Sequence, residues 1–336
     1  MQRILNKPED YVDEMLKGIY AAHGDRVKYV NDDLRCYVTT KKKEGKVGLM
    51  TGGGSGHLPL FLGYVGDGML DGCAIGGVFQ SPSAEQIANV THEIDSGAGV
   101  LYVYGNYSGD IMNFEMAEEL VDFEDIKCLH VVGNDDVASA PKGDEDKRRG
   151  VAGIYFVYKC AGAAADAMLP LEEVARVAQK AADHVRTFGV ALSPCIIPEN
   201  GKANFSVNPG EMELGMGIHG EPGVEVCPIK TADDTVDYML SRILEDLEAA
   251  AGDEVAVLVN GLGATPLEEL YIMYNHVADT LKEKEIKVLF TKIGEQATSM
   301  DMAGASISVM KLDDELKQYL ATPADTPFVH HEGFAN

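Results

Sequence analysis

The sequence predicts an α/β protein of two domains, and three observations carry that prediction. Short apolar, β-branched runs alternate with segments whose apolar residues recur every three or four positions, the pattern of strands and covering helices. The 336 residues are enough for two cores. Near residue 186 the regular alternation gives way to a stretch containing Pro, Gly and Asn with hairpin-like spacing. The expected arrangement is a three-layer α/β sandwich with a mainly parallel sheet over 1–186. A second α/β domain with a mixed sheet follows over 187–336.

Along the first half, "YVDEMLKGIYAA" behind Pro8 has the apolar spacing of an amphipathic helix over 8–22. Short strands are expected at 27–30 and 36–39, then a clear one in "KVGLMT" (46–51), which feeds the loop "GGGSGHLP". The mixture of apolar residues and glycines from 58 to 77 reads as short helical turns over a sheet end. "SAEQIANVTHEID" begins with a Ser cap and reads as a helix, and "GVLYVYG" as a strand. "DIMNFEMAEELVDF" has helical periodicity with Asp110 as N-cap, followed by the strand "KCLHVVG". Helices are expected over 148–168 and 171–185, the former apolar nearly all round and therefore buried.

In the second half, "TFGVALSPCII" reads as a strand and "TADDTVDYMLSRILEDLEAA" as a helix. Strand "EVAVLVN", loop "GLGATP", helix "LEELYIMYNHVADTLKEK" and strands "IKVLFTKIG" and "ASISVMKL" complete it.

The totals exclude several classes. A net charge of −26, from 54 acidic and 28 basic residues, repels nucleic acid and anionic membrane, so neither is an expected partner. No run approaches the roughly 20 apolar residues of a membrane span, and the N-terminus lacks the apolar region of a secretory signal. A cytoplasmic location is expected. The six cysteines are all more than 30 residues apart, so no Cys-x-x-Cys metal or redox motif exists. They are expected to be reduced core residues.

Three segments invite chemistry. The glycine run after a strand is where ligands bind in open α/β sheets, and glycines let backbone N–H groups approach a phosphate or hydroxyl. It matches neither the dinucleotide fingerprint nor the phosphate-binding loop ending in Gly-Lys-Ser/Thr. His57 at its lip suits acid/base work. Asp110 closes "YGNYSGD", where capping a helix and serving as a catalytic carboxylate are compatible. His219 stands among four glycines in "GMGIHGEPG". It reads either as a metal ligand, with only Glu221 nearby to share an ion, or as a nucleophile toward a carbonyl. The "NDD" at 134–136 reads as caps and solvated faces. Arg148 and Arg149 could bind an anion, but two adjacent arginines also make an ordinary helix start.

Together, "GGGSGH", "GNYSGD", "RRGVAG", "EMELGMGIHGEPG" and "NGLGATPLEELY" resemble, in order and over essentially the whole chain, the dihydroxyacetone-binding subunit family of dihydroxyacetone kinases. The resemblance implies a two-domain α/β subunit, usually a homodimer. It implies that His57 and Asp110 act as acid and base at the reacting hydroxyl and that His219 forms a hemiaminal with the ketone carbonyl. Gly54, Ser55, Gly56 and His57 would hold the ketose, with Gly105 and Asp110 beside it, and no metal is expected in this chain. The nucleotide domain of the family is separate, and nothing in these 336 residues resembles it. ATP or ADP with Mg is therefore expected on a partner subunit, with ADP recharged by a phosphotransferase-system protein, and the chain is expected not to phosphorylate alone. The family commonly has Glu where Leu58 stands and Lys where Gly105 stands. Both changes remove charge beside the pocket and make a four-carbon ketose such as erythrulose an alternative substrate. A non-catalytic, ketose-sensing coactivator is the third reading, against which the intact His57, Asp110 and His219 argue.

Overall fold

The computed structural model describes residues 3–334. In chain order the strands of the two six-stranded sheets are β1 (Val27–Val30), β2 (Asp33–Thr39), β3 (Gly48–Ser55), β4 (Gly72–Val78), β5 (Val100–Gly105), β6 (Cys128–Gly133), β7 (Val185–Ala191), β8 (Glu211–Leu214), β9 (Glu225–Pro228), β10 (Glu254–Gly261), β11 (Lys287–Gly294) and β12 (Gly304–Leu312). The helices are α1 (Tyr11–His23), α2 (Ala84–Ile94), α3 (Ser108–Asp122), α4 (Ile154–Asp166), α5 (Leu171–Asp183), α6 (Ala232–Asp246), α7 (Leu267–Glu283) and α8 (Asp314–Leu320). No helix among the described residues is long and apolar enough to cross a membrane.

The chain divides into two compact units, and neither is continuous. Among the described residues the first comprises 3–133, 156–181 and 316–334, the second 134–155 and 182–315. The single boundary expected at 186 falls near one of these crossings. The segment 134–155 nevertheless belongs with the second unit and the C-terminal segment with the first. Long-range pairing ties 134–155 to the second unit: the Thr187 N–H donates to Asp135 O (2.7 Å) and the Val137 N–H to Thr187 O (3.1 Å).

In the first unit six strands run in the order β1-β2-β4-β3-β5-β6. The pairs β4/β3, β3/β5 and β5/β6 are parallel, and β1/β2 and β2/β4 antiparallel. Alternate residues of each strand face opposite ways. Val38, Met50, Ala74, Tyr102 and Tyr104 pack under Ile87, Val90 and Ile94 of α2 and Phe114, Ala117 and Val121 of α3. On the other face Thr51 hydrogen-bonds Tyr158 of α4 at 2.8 Å, so helices cover both sides and the sandwich has three layers. A capping box at Ser83 and Gln86 starts α2, as the Ser signal anticipates.

The glycine run differs from expectation. It was expected to be a loop after a strand ending at Thr51, but β3 continues through Gly52 and Gly53, which pair in parallel with Ala74 and Ile75, to Ser55. The glycines are needed for close packing: a Cβ on Gly53 would lie 2.4 Å from the Phe61 ring, and one on Gly54 2.7 Å from the Gln80 nitrogen. The segment expected to hold only helical turns contains one 3-10 turn at Leu62–Tyr64 and then β4, whose glycines mask its strand character. Helix α4 starts at Ile154 rather than 148, because the buried Asp135 carboxylate takes the Val151 and Gly153 N–H groups (2.9 and 2.8 Å) just before it. Asp135 and Asp136 are 1% and 2% exposed, so the expected solvated faces are buried anchors.

The second unit has the strand order β11-β10-β12-β7-β8-β9, parallel only at β10/β11. Val255, Val257 and Val259 of β10, Ile307 and Val309 of β12, and Phe188 and Val190 of β7 face α6 and α7 across one core. Each such side chain contributes about 1.5–3 kcal/mol on burial. The motif "NGLGATPLEELY" finds a structural use here. Buried Asn260 donates to Ala297 O (2.8 Å) and accepts the Gln296 and Ala297 N–H groups (2.8 and 2.9 Å), while Thr265 exchanges hydrogen bonds with Gly304 before Pro266 opens α7.

Candidate functional site

In the first unit the chain passes from β3 to β4 on one side and then crosses to β5 on the other. The strand order therefore reverses between β3 and β5, and the crevice beyond their carboxyl ends is where an open parallel sheet binds ligands. Gly54, Ser55, Gly56 and His57 lie at the end of β3, and Gly105 and Asp110 at the end of β5. These six predicted residues thus belong to one sheet edge.

Ser55 closes β3, its hydroxyl donating to Gly76 O at 2.9 Å and its carbonyl accepting the Phe79 N–H at 3.0 Å. The hydroxyl proton is committed, so toward a ligand this oxygen acts as an acceptor. Gly56, at φ 104°, turns the chain in a conformation open to glycine. The turn delivers His57, 1% exposed, whose imidazole stacks on Phe79 (centroids 4.8 Å apart) and meets Phe61 edge-on at 6.0 Å. Asp110 is not the N-cap of α3 as expected: Tyr107 holds that place, and Asp110 is the third helical residue, buried in the first turn. The first turn packs closely on the segment after β4, since a Cβ on Gly109 would lie 2.7 Å from Ser81 Oγ. Gly105 ends β5, its carbonyl accepting the Tyr107 N–H at 2.8 Å.

His219 belongs to the second unit, in the loop joining β8 to β9. Gly215 and Gly220 take positive φ (79° and 86°), and the Gly217 N–H donates to Glu221 O at 3.1 Å. The side chains of the loop then act on its backbone. Glu221 Oε2 accepts the His219 N–H at 3.0 Å, and Glu221 Oε1 lies 2.9 Å from His219 Nδ1. Asn204 Nδ2 donates to His219 O at 2.9 Å. Burial works to raise the Glu221 carboxyl, but its hydrogen bond and charge pairing with His219, helped by Arg149, outweigh this and hold it at about 2. An ionised carboxylate only accepts, so a neutral His219 carries its proton on Nδ1 and its lone pair on Nε2.

Three residues of this loop's surroundings escaped the sequence. The sequence offers Glu221 only as a metal ligand, Arg149 as an anion ligand or a helix start, and Asp136 as a solvated cap. Arg149 donates to Asp136 (2.9 Å), Gly215 O (2.9 Å) and Glu221 O (3.4 Å). Its neighbour Arg148 is fully buried on Asp246, which Arg186 also pairs. Two residues separate nothing in a turn, so the spacing of His219 and Glu221 was a usable signal; the Arg149 contacts join distant loops and leave no periodic trace. Among the described residues no group of three His, Cys, Asp or Glu is placed to share a metal ion.

The Dak1 domain model matches residues 17–328. The chain is 45% identical over 329 residues to the PTS-dependent dihydroxyacetone kinase 2, dihydroxyacetone-binding subunit DhaK, of Listeria innocua, covering 98% of this chain and 99% of that one. It is 40% identical to the L-erythrulose kinase of Pectobacterium atrosepticum, covering 97% of this chain and 56% of the relative. The crystal structure of the dihydroxyacetone kinase of C. freundii superposes with a TM-score of 0.89 at 31% identity, over 97% of this chain and 59% of that one. The chain therefore belongs to the Dak1 family, among the dihydroxyacetone-binding subunits of dihydroxyacetone kinases.

Proposed function

We propose that this chain is the ketose-binding subunit of a dihydroxyacetone-type kinase. It holds a small ketose covalently on His219 and presents its hydroxyl for phosphoryl transfer from a separate nucleotide-binding subunit. The observation that carries the reading is the pairing of Glu221 with Nδ1 of a histidine in a glycine-rich turn, in a chain of this family.

The chemistry follows from that pairing. Nε2 adds to the ketone carbon, the C–N bond forms, and the carbonyl π electrons move to oxygen. The positive charge that develops on the ring is stabilised by the Glu221 carboxylate, which takes the Nδ1 proton and passes it through water to that oxygen, leaving the neutral hemiaminal and an ionised Glu221. Glycerol has no carbonyl to accept the nitrogen and is excluded by chemistry rather than shape. At the other end of the reaction, His57 or Asp110 takes the proton of the ketose hydroxyl as it attacks the phosphoryl group. The backbone around Gly54–Gly56 and Gly105, with the Ser55 oxygen, supplies hydrogen bonds to the sugar.

The donor is ATP, or ADP recharged by a phosphotransferase-system protein, held with Mg on the partner; the name of the Listeria relative supports the second route. The active assembly contains a homodimer of this chain. Purified alone and mixed with ATP and dihydroxyacetone, the chain is expected to form no phosphorylated ketose, and a nucleotide-binding subunit is expected to restore turnover. Turnover by a preparation proven free of partner would contradict the reading.

A four-carbon ketose is favoured by a specific pair of residues, the uncharged Leu58 and Gly105, and by the 40% identity to an erythrulose kinase. Room for one more hydroxymethyl group is worth about 10- to 200-fold in kcat/KM. Comparing dihydroxyacetone with both erythrulose enantiomers, partner in excess, decides between them: a preference for dihydroxyacetone ends the four-carbon reading.

A further inference from the structure

A buried ion pair holds the His219 loop from outside. We propose that Arg149, anchored on Asp136, is a positioning residue that fixes Glu221 and thereby decides which nitrogen of His219 reacts. The inference rests on the covalent role given to His219 above and extends it to residues assigned no contact with the ketose.

The geometry runs in one chain of contacts. Asp136, its side chain 3% exposed, is oriented by the Ala138 N–H on Oδ1 (3.0 Å) and receives Nε and Nη2 of Arg149 on Oδ2 (2.9 and 2.8 Å). With the guanidinium so fixed, Nη2 reaches Gly215 O at 2.9 Å and Nη1 reaches Glu221 O at 3.4 Å. Gly215 opens the loop and Glu221 closes its turn, so one planar fork ties both ends. Gly217 lies between them without room for a side chain: a Cβ there would meet Glu221 Oε2 at 2.2 Å and Arg149 Nη1 at 2.6 Å. The carboxylate and the guanidinium close over this glycine. From that fixed main chain the Glu221 side chain turns back to accept the His219 N–H and face Nδ1.

A point charge cannot reproduce this. Lysine has no rigid fork with which to bridge Asp136, Gly215 O and Glu221 O, so charge retention alone does not restore the geometry. A displacement of about 1 Å in a reacting group costs roughly 100-fold in rate. The competing role is plain stability, since removing Arg149 takes the counter-charge from Asp136, whose carboxyl is already pushed up to about 7 by burial.

The experiment separates the two. Nitrogen NMR of labelled histidine in the substrate-free protein reads the His219 tautomer, with His219→Gln assigning the signal. Wild type is expected to show the Nδ1–H form. The double variant Arg149→Met/Asp136→Asn removes both charges and is expected to regain most of the melting temperature lost by Arg149→Met. It is expected nonetheless to show mixed tautomers and, with the partner subunit, a kcat/KM about 100-fold down. Should it not fold, Arg149→Lys, which keeps a charge facing Asp136, carries the same expectation. Wild-type tautomer and kcat/KM in the folded double variant, or in Arg149→Lys, would overturn the proposal. Because the tautomer is read without ketose, failure of the covalent reading shows separately, as absence of an adduct in wild type.

Discussion

Replacing Glu221 by Gln changes one oxygen to a nitrogen and is expected to reverse the polarity of His219. The backbone N–H of His219, 3.0 Å from Glu221 Oε2, can only donate, so it claims the amide oxygen of the glutamine. The amide nitrogen then faces Nδ1, 2.9 Å away in the wild type, and can only donate to it. Nδ1 becomes the acceptor and the ring proton moves to Nε2, the nitrogen proposed to attack. Restoring the reactive tautomer means turning the amide over, which sets its NH2 against the backbone N–H and leaves a donor unsatisfied. Reversing these contacts costs about 2–4 kcal/mol, or roughly 30- to 1,000-fold in the reactive form. Isothermal titration and turnover with the partner subunit would read this as a weakened ketose complex and a lowered kcat/KM. Wild-type values for Glu221→Gln, with the protein folded, would refute the argument. The same substitution has a pH signature. Glu221 is held at about 2 against an ordinary 4.5, so its contribution to stability is complete above pH 4.5 and is lost as pH falls toward 2. The stability difference between wild type and Glu221→Gln is therefore expected to shrink across that interval.

Asp110→Asn and His57→Ala remove the groups proposed to handle the hydroxyl proton and are expected to lower kcat about 10²- to 10⁴-fold. The adduct on His219 should still form, because neither residue supplies the bonded nitrogen; loss of the adduct would show that they act in binding. Gly76→Ala tests packing under the β3 and β4 ends, where a Cβ would lie 1.7 Å from the Gln80 carbonyl oxygen. Overpacking against backbone is expected to cost about 3 kcal/mol, read from the urea midpoint, and an unchanged midpoint would contradict the close approach.

Most of the architecture was legible because it repeats locally. β5 and β10 are mostly continuous apolar runs, β6 and β12 are apolar runs interrupted by His130 and by Ser306 and Ser308, and α2, α3, α6 and α7 keep helical spacing with caps or polar first turns. The exceptions have physical causes. "TGGGS" and "GCAIGGV" are half glycine and read as loops, yet neighbouring strands and the Phe61 ring hold them extended. The discontinuous units depend on 134–155 and 316–334 pairing far along the chain, which composition near 186 cannot encode. Among the site residues, His57, Asp110 and His219 are marked by the glycines around them. Arg149 and Asp136 are not, because a helix start and an acidic turn look alike whether they face water or are buried against another loop.

The central claim is that His219 bonds to the ketose, and a single NMR measurement addresses it most directly. Protein with nitrogen-labelled histidine is mixed with dihydroxyacetone or erythrulose labelled at the carbonyl carbon. The account predicts a bound-ketose carbon signal moved from the carbonyl to the tetrahedral region and split by one-bond coupling to a single imidazole nitrogen, Nε2 of His219, and absent in His219→Ala. A tightly bound ketose whose carbon shows no coupling to nitrogen, or the same coupled signal in His219→Ala, would contradict it.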